Sequence, residues 1–240
     1  MTPIVFAGPS LYGVATGRFA GIDLRPPVGK GDLLTAVSSG GKLIGIIDGT
    51  FEYGASVWHK EILFAIRQGV AVFGAASMGA LRAAECAEFG MIGIGHVFAD
   101  YAAGRRRSDG DVAMVHAPAP LGYQPLTEAL VDMDETLARL VAAGKIAADI
   151  ASRLGKAAAT LHFKDRTWPQ VLTIAGVRGA EKDELAVVLR ANRVSLKTED
   201  ALALIDHMRA LPAKAAPPAT FDFNETLFFR EMMTASARRP

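Results

Sequence analysis

Three short runs constrain this chain most. "PIVFAG" (residues 3–8), "KLIGIIDG" (42–49) and "GVAVFG" (69–74) are apolar at consecutive positions rather than at alternate ones. A strand with one wet face alternates apolar and polar residues, whereas a strand covered by helices on both faces does not. Between the runs, "GDLLTAVSSGG" and "SVWHKEILFAIRQG" carry helix start signals, Asp32 and Ser56, and stop signals, Gly40 and Gly69. Strands separated by helices imply βαβ units and a parallel sheet. A weaker strand is expected in "DVAMVHAP" (111–118). From about Leu121 the apolar residues fall three and four apart among dispersed charges, which is helical spacing. The expected fold is therefore α/β. A parallel-sheet layer spans residues 1–120, a mainly helical region 121–211, and a Pro/Ala-rich linker with an aromatic-rich C-terminal segment 212–240. The final "FDFNETLFFREMM" is read as either a last packed helix or a docking tail.

Composition matters mainly for what it excludes. Half of the 240 residues are hydrophobic and 21% are charged, enough for a sizeable core. Lys plus Arg (26) balances Asp plus Glu (25), so no general attraction to nucleic acid or to a membrane surface is expected. The run Arg105-Arg106-Arg107 reads as a solvated turn. A lone Cys86 excludes an internal disulfide and a cysteine-cluster metal site, and is expected as a small buried residue. With no basic leader before a long apolar stretch, and no apolar run near about 20 residues, the expectation is a cytoplasmic protein.

In a parallel open sheet, ligands bind beyond the carboxyl ends of the strands. Four stretches should meet there: Gly8-Pro9-Ser10, residues 48–52 with Asp48 and Glu52, the segment before His59-Lys60, and Gly74-Ala75-Ala76-Ser77. Ser77 follows a buried strand, opens a helix and sits between small residues. Ala75 and Gly79 stand two positions before and after it, as in a nucleophile elbow with Ala75 in place of the usual glycine. A helix N-terminus would steady a developing oxyanion there, but serine is also a favoured N-cap, so both uses stay open. A serine nucleophile needs a base, and His59 and Lys60 are the candidates near the strand ends. They fall in a helix's first turn, where a cation is disfavoured and a neutral amine can take a serine proton. Lys60 could equally be a solvated surface residue. Arg82 and Glu85, three apart, suit an ordinary ion pair, a clamp on a substrate carboxylate or a means of orienting Lys60. Asp48 and Glu52 could cap a helix, bind a cation or contact a substrate. "VGKGD" (28–32) lacks the spacing of a phosphate loop.

"IIDGTFEYGASVWHKEILFAIRQGVAVFGAASMGALRAAE" (46–85) and the "GDVAMVHAPAPLGYQPLTEALVD" that follows resemble the TfuA family, with WHKE and GAASMGALRAAE in its order and spacing. The resemblance begins at "VFAGPSL" and covers roughly the first 130 residues. It implies a companion of a YcaO enzyme, which uses ATP to activate a peptide amide for thioamidation. The companion would supply sulfur by hydrolysing the thiocarboxylated C-terminus of a ThiS-like, ubiquitin-like carrier, and would meet the precursor peptide indirectly. The family's Ser-Lys pair maps onto Ser77 and Lys60, with Ser10 as the competing serine. Arg82 and the helix N-terminus would draw in the anionic thiocarboxylate. Ser10, Asp48, Glu52, His59 and Glu85 complete the expected substrate contacts, and no metal or organic cofactor is implied. Two other functions fit the sequence: a non-catalytic adaptor for YcaO and its peptide, and a small phosphate- or nucleotide-binding protein using Gly8 and Asp48.

Overall fold

The computed structural model describes residues 2–211 and 219–236. The expected linker thus lies mostly outside the described residues. Among these, two compact units are found: residues 2–107 with 198–236, and residues 108–197.

The first unit is built on five parallel strands in the order β2-β1-β3-β4-β5: β1 Ile4–Phe6, β2 Asp23–Arg25, β3 Leu43–Ile46, β4 Ala71–Ala75 and β5 Ile92–Ile94. The three apolar runs are the three inner strands, β1, β3 and β4, each covered on both faces. Ile4, Phe6, Ile44, Ile46 and Val72 pack against helices α1 (Asp32–Ser38), α2 (His59–Arg67) and α3 (Met78–Cys86). Val5, Leu43, Ile47 and Phe73 meet Ala201, Leu204, Ile205 and Met208 instead. These four come from a helix late in the chain, Leu196–Ala210. Gly45 lets that helix approach, since a Cβ there would lie 2.6 Å from the Met208 sulfur. The edge strands β2 and β5 escape sequence reading. Three residues are too few to show a period, and Asp23 and Arg25 are only half buried.

The expected strand at 111–118 is not formed. That stretch begins on the last residue of a 3₁₀ turn, Asp109–Asp111, and carries an isolated antiparallel bridge from His116 to Pro125. Its apolar residues serve the helical unit instead: Val112 and Ala113 are buried. Ser56 does not cap α2 either. Its hydroxyl donates to the Thr50 carbonyl, and the helix starts two residues beyond Val57, after Trp58. Cys86 is buried as expected, and burial pushes its thiol up to about 11.

Helix α4 (Gly95–Ala102) follows β5 and is capped from outside: the Asp200 carboxylate accepts the His96 and Val97 N–H groups. The second unit packs α5 (Leu130–Ala142), α6 (Ala148–Thr160), α7 (Trp168–Ile174) and α8 (Gly179–Ala191) around Leu137, Leu154, Leu172 and Leu189. Buried Asp132 accepts from the Lys197 N–H and the Ser195 hydroxyl, pinning the start of α9 (Leu196–Ala210) to that unit. The last helix, α10 (Leu227–Ser236), packs on α1 through Phe229 and Met232, so the packed-helix alternative holds for the aromatic segment. Among the described residues no helix is long and apolar enough to cross a membrane.

Candidate functional site

β4 ends at Ala75, and the chain then turns sharply into α3. Ala76 takes a left-handed conformation, φ +66°, which is unfavourable for an L-residue by an amount on the order of 1 kcal/mol. Ser77 follows at the N-cap position, with its carbonyl accepting from Ala80 and Leu81. Its hydroxyl, however, makes no capping hydrogen bond, so the simplest structural use of a serine here is not the one realised. Gly79 completes the turn. Its N–H donates to the Ile47 carbonyl at 3.1 Å, and a Cβ there would lie 1.7 Å from the Ile46 carbonyl oxygen. Gly74 faces the same contact, its Cβ position being 2.1 Å from the Gly79 oxygen. The small residues around Ser77 thus let the first turn of α3 lie directly on β3 and β4. Ser77 is 9% exposed.

The loops after β1 and β3 also meet, but they close on each other. One Asp48 oxygen accepts the Gly8 and Ser10 N–H groups at 2.8 and 3.0 Å; the other accepts the Ser10 hydroxyl at 2.7 Å. Both Ser10 and Asp48 are buried. A protein carboxylate therefore occupies the place an anion would take in the crevice between β1 and β3, which removes the basis for phosphate binding through Gly8 and Asp48. Glu52 lies on an exposed turn with φ +59°.

A second constellation forms between α2 and α3. His59 Nε2 and Arg82 Nη1 both lie 2.7 Å from Glu85 Oε2, and Arg82 Nε donates to the Val57 carbonyl. Burial acts to raise the Glu85 carboxyl, but the hydrogen bonds from His59 and Arg82 outweigh it and hold the group below its ordinary value. The ordinary ion pair expected of Arg82 and Glu85 is thus present. Lys60, next to His59, points elsewhere: Nζ donates to the Asn224 carbonyl at 2.8 Å and to the Thr226 hydroxyl at 3.4 Å. No hydrogen bond joins Lys60 to Ser77 among the described residues.

Of the known families, the TfuA-like protein family matches residues 48–167, half of the chain. The chain belongs to the TfuA-like family. None of the curated proteins matches it. The TfuA-like match begins later and reaches further into the helices than the stretches quoted from the sequence. It contains Asp48, Glu52, His59, Lys60, Ser77, Arg82 and Glu85, and leaves Ser10 outside. TfuA-like proteins are linked in general to thioamidation and to YcaO partners.

Sequence reasoning about this TfuA-like chain missed Glu61. Its carboxylate is buried, one oxygen accepting the Gly31 N–H at 2.9 Å and the other the Trp58 N–H at 3.1 Å. Desolvation is the main cause that lifts the carboxyl from 4.5 to about 6, against the lowering effect of the two amides. The signal available was its place three residues after the helix's N-cap, where a glutamate reaches back to the cap N–H. Nearby, residues 29–32, Trp58 and α10 line a cleft of about 630 Å³. Lys30 lies over the Trp58 ring, 3.9 Å from its centroid. The Gly29 and Gly31 amides are already taken by Asp32 and Glu61, which accounts physically for "VGKGD" not acting as a phosphate loop.

Proposed function

We propose that this TfuA-like protein releases sulfide from a thiocarboxylated, ThiS-like carrier for a YcaO-dependent thioamidation, with Ser77 as nucleophile and Lys60 as base. The observation that carries the proposal is the Ser77 hydroxyl: it stands at a helix N-terminus on a strained turn and is not engaged in capping. Ser77 Oγ would attack the thiocarboxylate carbon and its proton would pass through Lys60 to the departing sulfur. The C–S bond breaks, hydrosulfide leaves and an acyl ester remains on Ser77. Water then cleaves that ester, returning the serine and freeing the carrier's carboxylate. Of the first-turn N–H groups of α3, that of Gly79 is taken by Ile47 and that of Ala80 by Ser77, so the Met78 N–H and the helix N-terminus would stabilise the tetrahedral oxyanion. For Lys60 to serve as base, its side chain must leave Asn224 and Thr226 and lose a proton to become a neutral amine. Carrier binding would therefore have to displace the 219–226 segment. Arg82 and His59, both held by Glu85, act in this scheme by shaping the α2–α3 surface that receives the carrier.

The test is sulfide release from a thiocarboxylated carrier, measured with and without substitution. Ser77→Ala and Lys60→Ala should each abolish release while leaving the fold intact, and the double variant should be little worse than either single one, because a catalytic unit fails as a unit. Normal release by Ser77→Ala would end the hydrolase reading. A non-catalytic adaptor is the second reading, favoured by Leu227 and Phe228, which are 69% and 71% exposed on α10. In that case Phe228→Ser would weaken YcaO binding while the Ser77 substitution changed nothing.

A further inference from the structure

The stretch 219–226 crosses α2 on its way to α10 without joining any helix or strand. Phe221 and Phe223 are half buried while Asp222 and Asn224 are exposed, the period-two burial of an extended chain. Among the described residues, no main-chain hydrogen bond ties this stretch to the rest of the fold. Aromatic contacts hold it instead: the Phe221 ring lies 5.3 Å from that of Phe89, and the Phe223 ring 6.1 Å from that of Phe64. The one polar anchor among the described residues is Lys60. Its Nζ donates to the Asn224 carbonyl and the Thr226 hydroxyl, and lies 5.9 Å from the centroid of the Phe223 ring.

That anchor is weak for an electrostatic reason. Lys60 is the second residue of α2 and Thr226 immediately precedes α10, so the ammonium sits at two helix N-termini at once, where a cation is disfavoured. A segment fixed by a few partly exposed rings and no hydrogen-bonded ladder belongs to the part of a fold that opens first. While closed, however, it spends the Lys60 hydrogens on its own oxygens. It also lays an extended chain, with a carbonyl against Lys60, over the ground that an incoming chain would cross.

We propose that residues 219–226 are an autoinhibitory strap, a built-in stand-in for the carrier's C-terminal chain, which must lift before that chain can reach Lys60. This regulation rests on the hydrolase reading. The strap competes with the carrier and takes no part in the chemistry. Opening it therefore raises the fraction of competent protein and with it the apparent affinity for the carrier, while turnover of bound carrier stays the same.

Full-length Phe223→Ser removes the ring beneath Lys60 and leaves Ser77 and Lys60 in place. Phe223 is only half buried, so this variant should fold; Phe221→Ser, farther along the strap, is the second. One readout is the rate at which acetic anhydride labels Lys60, followed by peptide mass spectrometry with the exposed Lys156 as internal reference. The other is KM and kcat for sulfide release from a thiocarboxylated carrier. With the strap closed in roughly nine molecules of ten, Lys60 labelling and kcat/KM should each rise roughly tenfold in the variants, with kcat unchanged. Unchanged Lys60 labelling in both variants, or faster labelling with KM unmoved while the wild type releases sulfide, would overturn the strap alone. A wild type that releases no sulfide sinks the hydrolase reading, and the strap's regulation with it.

Discussion

Glu61 shows how much a single buried carboxylate can be asked to do. Each of its oxygens accepts one main-chain N–H, so it ties the entry of α1 to the entry of α2. Its carboxyl is raised to about 6, so the folded state takes up a proton more readily than the unfolded chain. The ionised form above pH 6 is thus disfavoured by roughly 2 kcal/mol, and that penalty is relieved as pH falls through 6 toward 4.5. Glu61→Gln removes the penalty but leaves one amide facing an NH₂ group, a loss of about 1–3 kcal/mol. The two effects nearly offset at pH 7, so absolute stability there is a poor test. The pH dependence is a good one: urea unfolding should show wild type gaining about 1 kcal/mol more than Glu61→Gln between pH 7 and pH 5. Asp132 and Asp200 are also raised by burial, but they change both proteins alike and cancel in the comparison.

At the scale of elements, the contact between the first turn of α3 and strands β3 and β4 is set by glycine. Gly79→Ala would place a Cβ 1.7 Å from a backbone oxygen, a clash no rotamer can relieve. Overpacking typically costs about 1–3 kcal/mol and occasionally more. Because the obstacle here is main chain, a loss at the upper end, about 3 kcal/mol, is expected as a lower thermal midpoint. Helix α10 should behave differently. Phe229 is fully buried, its ring 5.6 Å from that of Phe64 and 5.2 Å from that of Phe223. A Phe→Ala change in a core costs about 3–5 kcal/mol when the whole fold must bear it. A terminal helix can detach instead, so the global loss is capped by the energy of its docking. Phe229→Ala should therefore abolish amide-exchange protection across 227–236 while leaving β3 and β4 protected. Unchanged protection of α10 would show that Phe229 does not hold it.

At the scale of the whole molecule, the 108–197 unit has its own apolar core, formed by α5 to α8, and its buried polar groups are largely satisfied internally. Arg166 donates to the carbonyls of Ala158, Gly110 and Leu161, and Lys197 Nζ to that of Val112. Expressed alone, residues 108–197 should give a helical circular-dichroism spectrum and a cooperative thermal transition. A non-cooperative melt would mean that its core depends on the rest of the chain. The sequence by itself determined the α/β class, the three inner strands, the helical second half and the elbow-like setting of Ser77. Those features rest on runs of neighbouring residues, whose spacing records whether one face or two will be buried. It could not show β2 and β5, too short to carry a period, nor that α9 covers the second face of the sheet. Nor could it show that Asp48 fills the crevice at Gly8 and Ser10, or that Lys60 is held by Asn224, 164 residues away. Only the tertiary structure decided these, because a side chain's partner is fixed by which distant segments share its space, and local spacing carries no record of that.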